Sequence, residues 1–338
     1  MVYSTRLGRC VRTLIMIAMS AAVATVTGCT GSSLLITPVA HRRALVETEL
    51  SRDSRFAVDK IALVDVSGVI TNAPRHELFG EGEHPVSVLL EQLDKARRDR
   101  RVKAVVLRIN SPGGTVTASE LMHDEITHFK KSGKPIIAVM MDVATSGAYY
   151  IACACDEIVA QPSTVTGSIG VVMQVFDLSG TMQMVGVKSE AIISGTYKDI
   201  GSPLRPMRPE ERELFEQVVH DMYERFIDVV LAARTNLDEA TVRRLADGRI
   251  YTATQAKEAG LIDRIATMRD AIDLAKQRAG VKRTRLVTYH RPLGYRPNYY
   301  AQTPYRSGGD VNFLKFDLPD WLSRPVPQFM YLWIPGLY

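Results

Sequence analysis

Between residues 60 and 176 the chain alternates between short apolar runs and longer stretches in which apolar side chains recur every three or four positions. The runs KIALVDVSGVI (60–70), VKAVVLRIN (102–110), PIIAVM (135–140), EIVAQ (157–161) and GSIGVVMQVF (167–176) have the length and β-branched content of strands. In HPVSVLLEQLDKARRDRRV (84–102), Val88, Leu89, Leu93 and Ala96 fall on one helical face with charges between them. ASELMHDEITHFKKSGK (118–134) predicts a second helix, ending near Gly133. Apolar runs that do not alternate with polar residues belong to strands buried on both faces. The order of elements therefore predicts an α/β fold, with helices covering both sides of a sheet.

Beyond residue 200 the pattern becomes more helical. A long charged amphipathic helix is predicted over 209–234 and a shorter one over 237–245. GRIYTATQAKEAGLIDRI (248–265) reads as a turn, a helix stopped by Gly260, and a strand. The ends differ from this middle. Residues 30–55 read as a tether followed by a short charged helix. YHRPLGYRPNYYAQTPYRSGG (289–309) is rich in Pro, Tyr and Arg without helical period, which predicts an extended or disordered tail. The final FLKFDLPDWLSRPVPQFMYLWIPGLY (313–338) is apolar enough to dock on the protein, a partner subunit or a membrane interface. The division expected is 1–28 a signal segment, 29–55 a tether and short helix, 56–275 the main globular domain and 276–338 a tail.

Composition changes this picture little in the middle of the chain and more at its start. The chain has 338 residues, 46% hydrophobic and 23% charged, so it can bury a sizeable core. The formal charge of +5 is mild, and no basic block interleaved with aromatics points to nucleic acid. Arg6, Arg9 and Arg12 precede an uncharged stretch over 13–27, too short and too rich in small residues for a comfortable membrane span. That is the layout of a secretory signal peptide. It ends in VTGC (26–29), which resembles the lipobox of bacterial lipoproteins. The resemblance implies lipidation of Cys29, and hence an exported, membrane-anchored protein facing the periplasm or extracytoplasmic space. Thr30 after the cysteine permits outer-membrane sorting and leaves inner versus outer membrane open. Of the four cysteines, Cys10 would be removed with the signal. Cys153 and Cys155 are poorly spaced for a bond within one helix and suit small apolar packing. Neither a disulfide framework nor a zinc site is indicated.

The candidate chemistry centres on ATSGAYYIA (144–152). There a Ser-Gly-Ala step opens a helix directly after a strand. Ser146 at such a turn is either a helix cap or a nucleophile held over the sheet's carboxyl edge. The motif is not the hydrolase elbow G-x-S-x-G, because Ala144 stands at the first glycine position. A nucleophilic serine needs a base. None of the seven histidines (His41, His76, His84, His123, His128, His220, His290) lies in a glycine-rich turn of the catalytic type. Lys198 sits among small and turn-forming residues in SGTYKDIGSP (194–203). It reads either as a solvated surface charge or, once desolvated, as a base. NSPGGT (110–115) follows a buried strand and precedes a helix. Its glycines could aim an amide at a developing oxyanion or simply make a helix-entry turn. TVTGSIG (164–170) is not a dinucleotide fingerprint, and no Walker A or HExxH motif is present, so no cofactor is indicated.

The ordered set SPGGTVTASE, ATSGAYYIA, TGSIGV, SGTYKDIGSP and GRIYTATQAKEAGLID closely resembles the bacterial signal peptide peptidase A (protease IV) family over roughly residues 56–270. The resemblance implies a Clp/crotonase-like fold of stacked ββα units and a serine protease with a Ser–Lys dyad. It implies Ser146 as nucleophile and Lys198 as general base, an oxyanion hole from Gly147 with Gly113 or Gly114, and Ser168 orienting the lysine. Thr145 before the nucleophile and Ala148 after Gly147 depart from the common A-S-G-G-Y pattern without removing a reacting group. One copy of each motif resembles the half-length members. This implies a homo-oligomer, an octamer in expectation, whose sites combine serine and lysine from neighbouring subunits. The implied substrates are signal-peptide remnants or other short apolar peptides. Two rivals share the fold: a crotonase-like acyl-CoA enzyme, which would need neither Ser146 nor Lys198, and a non-catalytic membrane scaffold.

Overall fold

The computed structural model describes residues 44–73, 76–77, 80–81, 83–291 and 329–333. The signal segment, most of the tether, Cys29 and most of the tail therefore lie outside the described residues. In chain order the first elements are β1 (Val46–Arg52), β2 (Asp59–Ser67), the short β3 (His76–Glu77) and β4 (Gly80–Glu81), α1 (Pro85–Arg98) and β5 (Val102–Ser111). Next come β6 (Gly113–Thr115), α2 (Val116–Lys130), β7 (Ile136–Thr145), α3 (Gly147–Ala152), β8 (Glu157–Ala160), β9 (Val165–Gly167) and β10 (Val172–Met173). They are followed by α4 (Ser179–Met184), α5 (Pro209–Ala233), α6 (Glu239–Leu245), β11 (Ile250–Thr252), α7 (Ala253–Glu258) and β12 (Arg264–Ile265). The last described elements are α8 (Met268–Arg278), β13 (Thr284–His290) and β14 (Phe329–Leu332).

The main sheet runs β1-β13-β2-β5-β7-β8-β12, and β9 pairs with the far end of β7. From β13 to β12 every neighbouring pair is parallel; β1 joins β13 antiparallel at one edge. Both faces are covered, as the uninterrupted apolar runs require. Ala62, Val64, Leu107, Ile109, Ala138 and Met140 pack in one buried cluster with residues of α1, α2, α3 and α5. The alternate positions Ile61, Leu63, Ala104, Val106, Ile137 and Val139 pack against Met268, Ala271, Ile272 and Ala275 of α8. The helices start where the sequence supplies caps. Pro85 opens α1, Asp238 caps α6, and Thr252–Gln255 and Thr267–Asp270 form reciprocal capping boxes at α7 and α8.

Three expectations change. The charged residues before position 55 form the edge strand β1 rather than a helix. Val46, Thr48 and Leu50 alternate with acidic residues, a pattern that fits a half-exposed edge better than a helical stripe. The boundary at residue 275 cuts through α8, and β13 lies inside the main sheet with Leu286, Val287 and Tyr289 buried. The tail's composition begins only at Arg291, after this strand. Finally, 167–176 is not one strand. β9 ends at Gly167, a turn with Ser168 at φ 49° follows, and β10 joins a different, three-stranded sheet, β10-β14-β6.

Arg108 and Asp65 face each other on β5 and β2, 2% and 7% exposed, with Nε donating to the carboxylate at 2.6 Å. Breaking a buried pair from one side is costly. Asp65→Ala should cost about 3–5 kcal/mol of folding stability, read as a lowered midpoint in urea unfolding.

Candidate active site

The parallel strands β5 and β7 are neighbours, with Ser111 opposite Ala144. Their carboxyl-end turns therefore emerge side by side. One carries Pro112, Gly113 and Gly114, the other Ser146 and Gly147. Ser146 sits at φ 55° and ψ −117°, outside the regions that a serine normally adopts, and it makes no side-chain capping bond to α3. The cap reading is thereby set aside. The conformation costs about 1–3 kcal/mol and persists only because its surroundings over-determine it. The Ser146 amide donates to the Gly167 carbonyl at 2.7 Å, and its own carbonyl accepts from Tyr150 at 2.9 Å. Every residue of α3 is buried behind it. Ser146 itself is 1% exposed.

The glycines are required by close approach. Gly113 has φ 96°, and a methyl group on it would lie 2.1 Å from the Tyr331 carbonyl oxygen and 2.8 Å from the Gly147 nitrogen. A methyl on Gly147 would meet Ser119 Oγ at 2.3 Å and lie 3.3 Å from the Gly114 nitrogen. Gly114 answers a different need: a methyl there would fall 1.8 Å from the Ile70 carbonyl oxygen. Ile70 bridges this loop, its amide donating to Gly113 and its carbonyl accepting from Thr115, both at 2.8 Å. The Gly113 amide donates to Ser111 Oγ at 3.1 Å. The two glycine turns and the serine are thus brought to one point, as the sequence suggested. Ser168 belongs to the same neighbourhood through Gly167. It is 7% exposed, and its amide donates to the Arg249 carbonyl at 2.7 Å.

Lys198 is placed differently. It is exposed, in a turn closed by its amide donating to the Gly195 carbonyl at 2.9 Å. Among the described residues its ammonium has no hydrogen bond or ion pair, and none connects it to Ser146. What fixes its segment is charge. Asp199, the next residue, accepts from Arg205 at 2.6 and 2.8 Å. Arg205 also donates to Glu211 at 2.5 and 2.9 Å, and Arg208 donates to the same carboxylate. Glu211 is fully buried. Hydrogen bonding from Arg205 holds its carboxyl down to about 2, and Arg205 likewise lowers Asp199. Sequence reasoning missed this array; its trace was the RPMRPEE spacing (205–211) across the start of α5.

A second feature also went unread. Tyr331 of β14 lies fully buried against Tyr150 and Phe226, with ring centroids 5.2 and 4.7 Å away. His123 packs edge-on to Tyr150 at 5.2 Å, and burial lowers its imidazole's affinity for a proton. No histidine bonds to Ser146 among the described residues. Cys153 and Cys155 are buried free thiols, and burial pushes Cys153 up to about 12, which suits the packing role read from the sequence.

A serine held in strained backbone at a strand-to-helix turn, beside a glycine loop on the neighbouring strand, is an arrangement found in hydrolases that use serine as nucleophile. Residues 128–282 match the model of peptidase family S49. Over 242 residues the chain is 36% identical to a putative signal peptide peptidase SppA of Enterococcus faecium, covering 72% of this chain and 70% of that one. Over 239 residues it is 38% identical to the chloroplastic serine protease SPPA of Arabidopsis thaliana, covering 69% of this chain and 35% of that one. A putative protease of Methanocaldococcus jannaschii is 35% identical over 212 residues, 63% and 68% of the two chains. The chain belongs to peptidase family S49 and is a serine protease similar to the SppA-type signal peptide peptidases.

Two outcomes follow from this geometry. Gly114→Ala should destabilise the fold by about 1–3 kcal/mol, because the obstructing atom is backbone. Gly170→Ala, whose nearest neighbour would be 3.7 Å away, should stay within about 0.5 kcal/mol; thermal melts compare the two. The Glu211 carboxyl is depressed in the folded state, so its contribution is complete above the ordinary carboxylate range and is lost as pH falls toward about 2. Amide protection factors across 195–208, exchange corrected for the intrinsic rate, should accordingly fall from about pH 4 downward.

Proposed function

We propose that this chain is a membrane-associated serine endopeptidase in which Ser146 is the nucleophile and Lys198 the general base. It degrades cleaved signal peptides or other short apolar peptides. The observation that carries the reading is the strained, non-capping Ser146 lying where the Gly113–Gly114 and Gly147 backbones converge. The neutral Lys198 amine takes the hydroxyl proton as Ser146 Oγ bonds to the peptide carbonyl carbon. The amides of Gly147 and of Gly113 or Gly114 hold the oxyanion. Lys198 returns the proton to the leaving amine as the C–N bond breaks. A water molecule, deprotonated by the same lysine, then releases the acyl group and restores Ser146. Ser168 orients the lysine. The mostly parallel sheet with its carboxyl-end glycine turns supports a Clp/crotonase-like arrangement of ββα units.

Because Lys198 is exposed and Ser146 buried in the same chain, we assign the lysine to the serine of a neighbouring copy in a homo-oligomer, an octamer in expectation. The segment leading to the lysine supports this. Phe176, Met184, Val185, Val187 and Ile192 are all exposed, Met184 at 81% and Ile192 fully, an apolar display that calls for cover. We assign membrane attachment to lipidated Cys29 and the working side to the periplasm or extracytoplasmic space. No helix among the described residues is long and apolar enough to cross a membrane.

The test is hydrolysis of a fluorogenic apolar peptide. Ser146→Ala and Lys198→Ala should each lose roughly 10⁴-fold or more. When the two variants are co-expressed, about a quarter of sites should regain both groups, so activity returns if neighbours share sites. A Lys198→Ala chain with near-wild-type rate would overturn the base assignment.

A further inference from the structure

The loop that follows β5 has to hold its own backbone in place, because Ser111, Gly113 and Gly114 are all buried. A buried amide without a partner is costly, so the amides of this loop can be followed one by one to their acceptors. Pro112 has no amide to donate. The Gly113 amide donates to Ser111 Oγ at 3.1 Å, and Ser111 is itself 1% exposed. The Thr115 amide donates to the Ile70 carbonyl at 2.8 Å. Among the described residues of the loop, none accepts the amide of Gly114. That amide nitrogen lies 3.3 Å from where a methyl on Gly147 would sit, so it stands beside the turn that carries Ser146.

The direction of the Gly114 amide is set by what grips Gly113. The peptide joining the two glycines is trans, so its N–H points opposite to its C=O. That C=O, belonging to Gly113, accepts from the Ile70 amide at 2.8 Å, which turns the Gly114 N–H away from Ile70. The other side of Gly113 is its amide, and there the only grip is the Ser111 hydroxyl, whose oxygen also lies 3.5 Å from the Gly113 carbonyl. Glycine accepts a wide range of backbone angles, and Gly113 has φ 96°, so a residue held at one end alone would swing. Ser111 is fixed from behind. It is the last residue of β5 and stands opposite Ala144 of β7, two residues before Ser146. The hydroxyl that grips the glycine loop is thus anchored to the same strand pair that carries the nucleophile turn.

We infer that Ser111 is a positioning residue for the peptidase reaction: its hydroxyl oxygen holds the Gly113 amide, spends that amide on the loop, and leaves the Gly114 amide aimed at the carbonyl that Ser146 attacks. The inference rests on the peptidase reading for its effect on rate; the grip on Gly113 is independent of it. Losing an oxyanion donor outright costs about 10²–10³ in kcat, and a donor that is loosened but still present costs less.

The test compares the full chain with Ser111→Ala, which removes the grip, and Ser111→Thr, which keeps a hydroxyl. Hydrolysis of a fluorogenic apolar peptide is measured per active site, titrated to completion with a fluorophosphonate. In Ser111→Ala, kcat should fall about tenfold with KM within about twofold, and Ser111→Thr should recover to within about threefold of the unsubstituted chain. Inhibition by a peptide aldehyde reads the oxyanion directly. Ser146 Oγ bonds to the aldehyde carbon, the hydroxyl proton passes to Lys198, and the former carbonyl oxygen becomes the oxyanion. Its inhibition constant should weaken by about the same factor as kcat falls. A merely structural hydroxyl would lower the melting temperature or the number of titratable sites and leave kcat per site and aldehyde affinity unchanged, and that result overturns the inference. So does Ser111→Thr melting like the unsubstituted chain but as slow as Ser111→Ala. Hydrogen exchange at Gly113, referred to Leu107 in the middle of β5, reads the grip itself. Its protection should drop about tenfold in Ser111→Ala, and equal protection overturns the inference whatever the rates. If the unsubstituted chain neither hydrolyses peptide nor is labelled at Ser146, the peptidase reading fails; lost Gly113 protection in Ser111→Ala then still supports the grip.

Discussion

The active-site end of this protein depends on two backbones packing closer than any side chain permits. Gly113 and Gly147 come from turns at the ends of adjacent parallel strands, and one extra carbon on either would collide with its surroundings. Their contact fixes where the Ser146 turn lies relative to the loop that carries backbone amides. It also accounts for the Ser146 conformation. A serine at φ 55° is unfavourable alone, but the amide before it is tied to Gly167 and the helix after it is wholly buried. The turn cannot relax without unpacking α3 from the core. Rigid scaffold and strained residue are two aspects of the same packing.

The Lys198 segment obeys the opposite rule. It has almost no buried apolar surface, so nothing like a core determines its path. Its order comes from Asp199, Arg205, Arg208 and Glu211, with the fully buried carboxylate as the hub. Charged groups in such an array are strong because each carboxylate oxygen meets a fixed guanidinium donor. In the proposed assembly this division is economical. The serine needs strain and burial, supplied within the chain. The lysine, in that assembly, is presented outward to be covered by a neighbour.

The central sheet was legible because its strands are buried on both faces and carry apolar runs that no surface element would show. Ser146, Gly147, Gly113 and Gly114 were legible as a group because motifs at the carboxyl ends of neighbouring strands have few places to go. The edge strand β1 was not, since an edge tolerates charges that mimic a helix, and only pairing with β13 decides the matter. The Arg205–Glu211 array was hidden for a related reason: arginine and glutamate near a helix start look like solvated surface until one of them is found buried. β14 was harder still. A four-residue strand far along a Pro-rich stretch has no local periodicity, and its partners β6 and β10 lie more than a hundred residues earlier in the chain.

β6 and β10 have three and two residues, and in their sheet neither touches the other; each pairs only with β14. Two edges so short do not form a stable ribbon by themselves, because a pair of strands without a third gains too little to offset its ordering. This small sheet is therefore complete only with β14 in place. Docking also removes a liability. A free FMYLW segment is a short, uncharged, aromatic-rich strand of the kind that pairs with other chains.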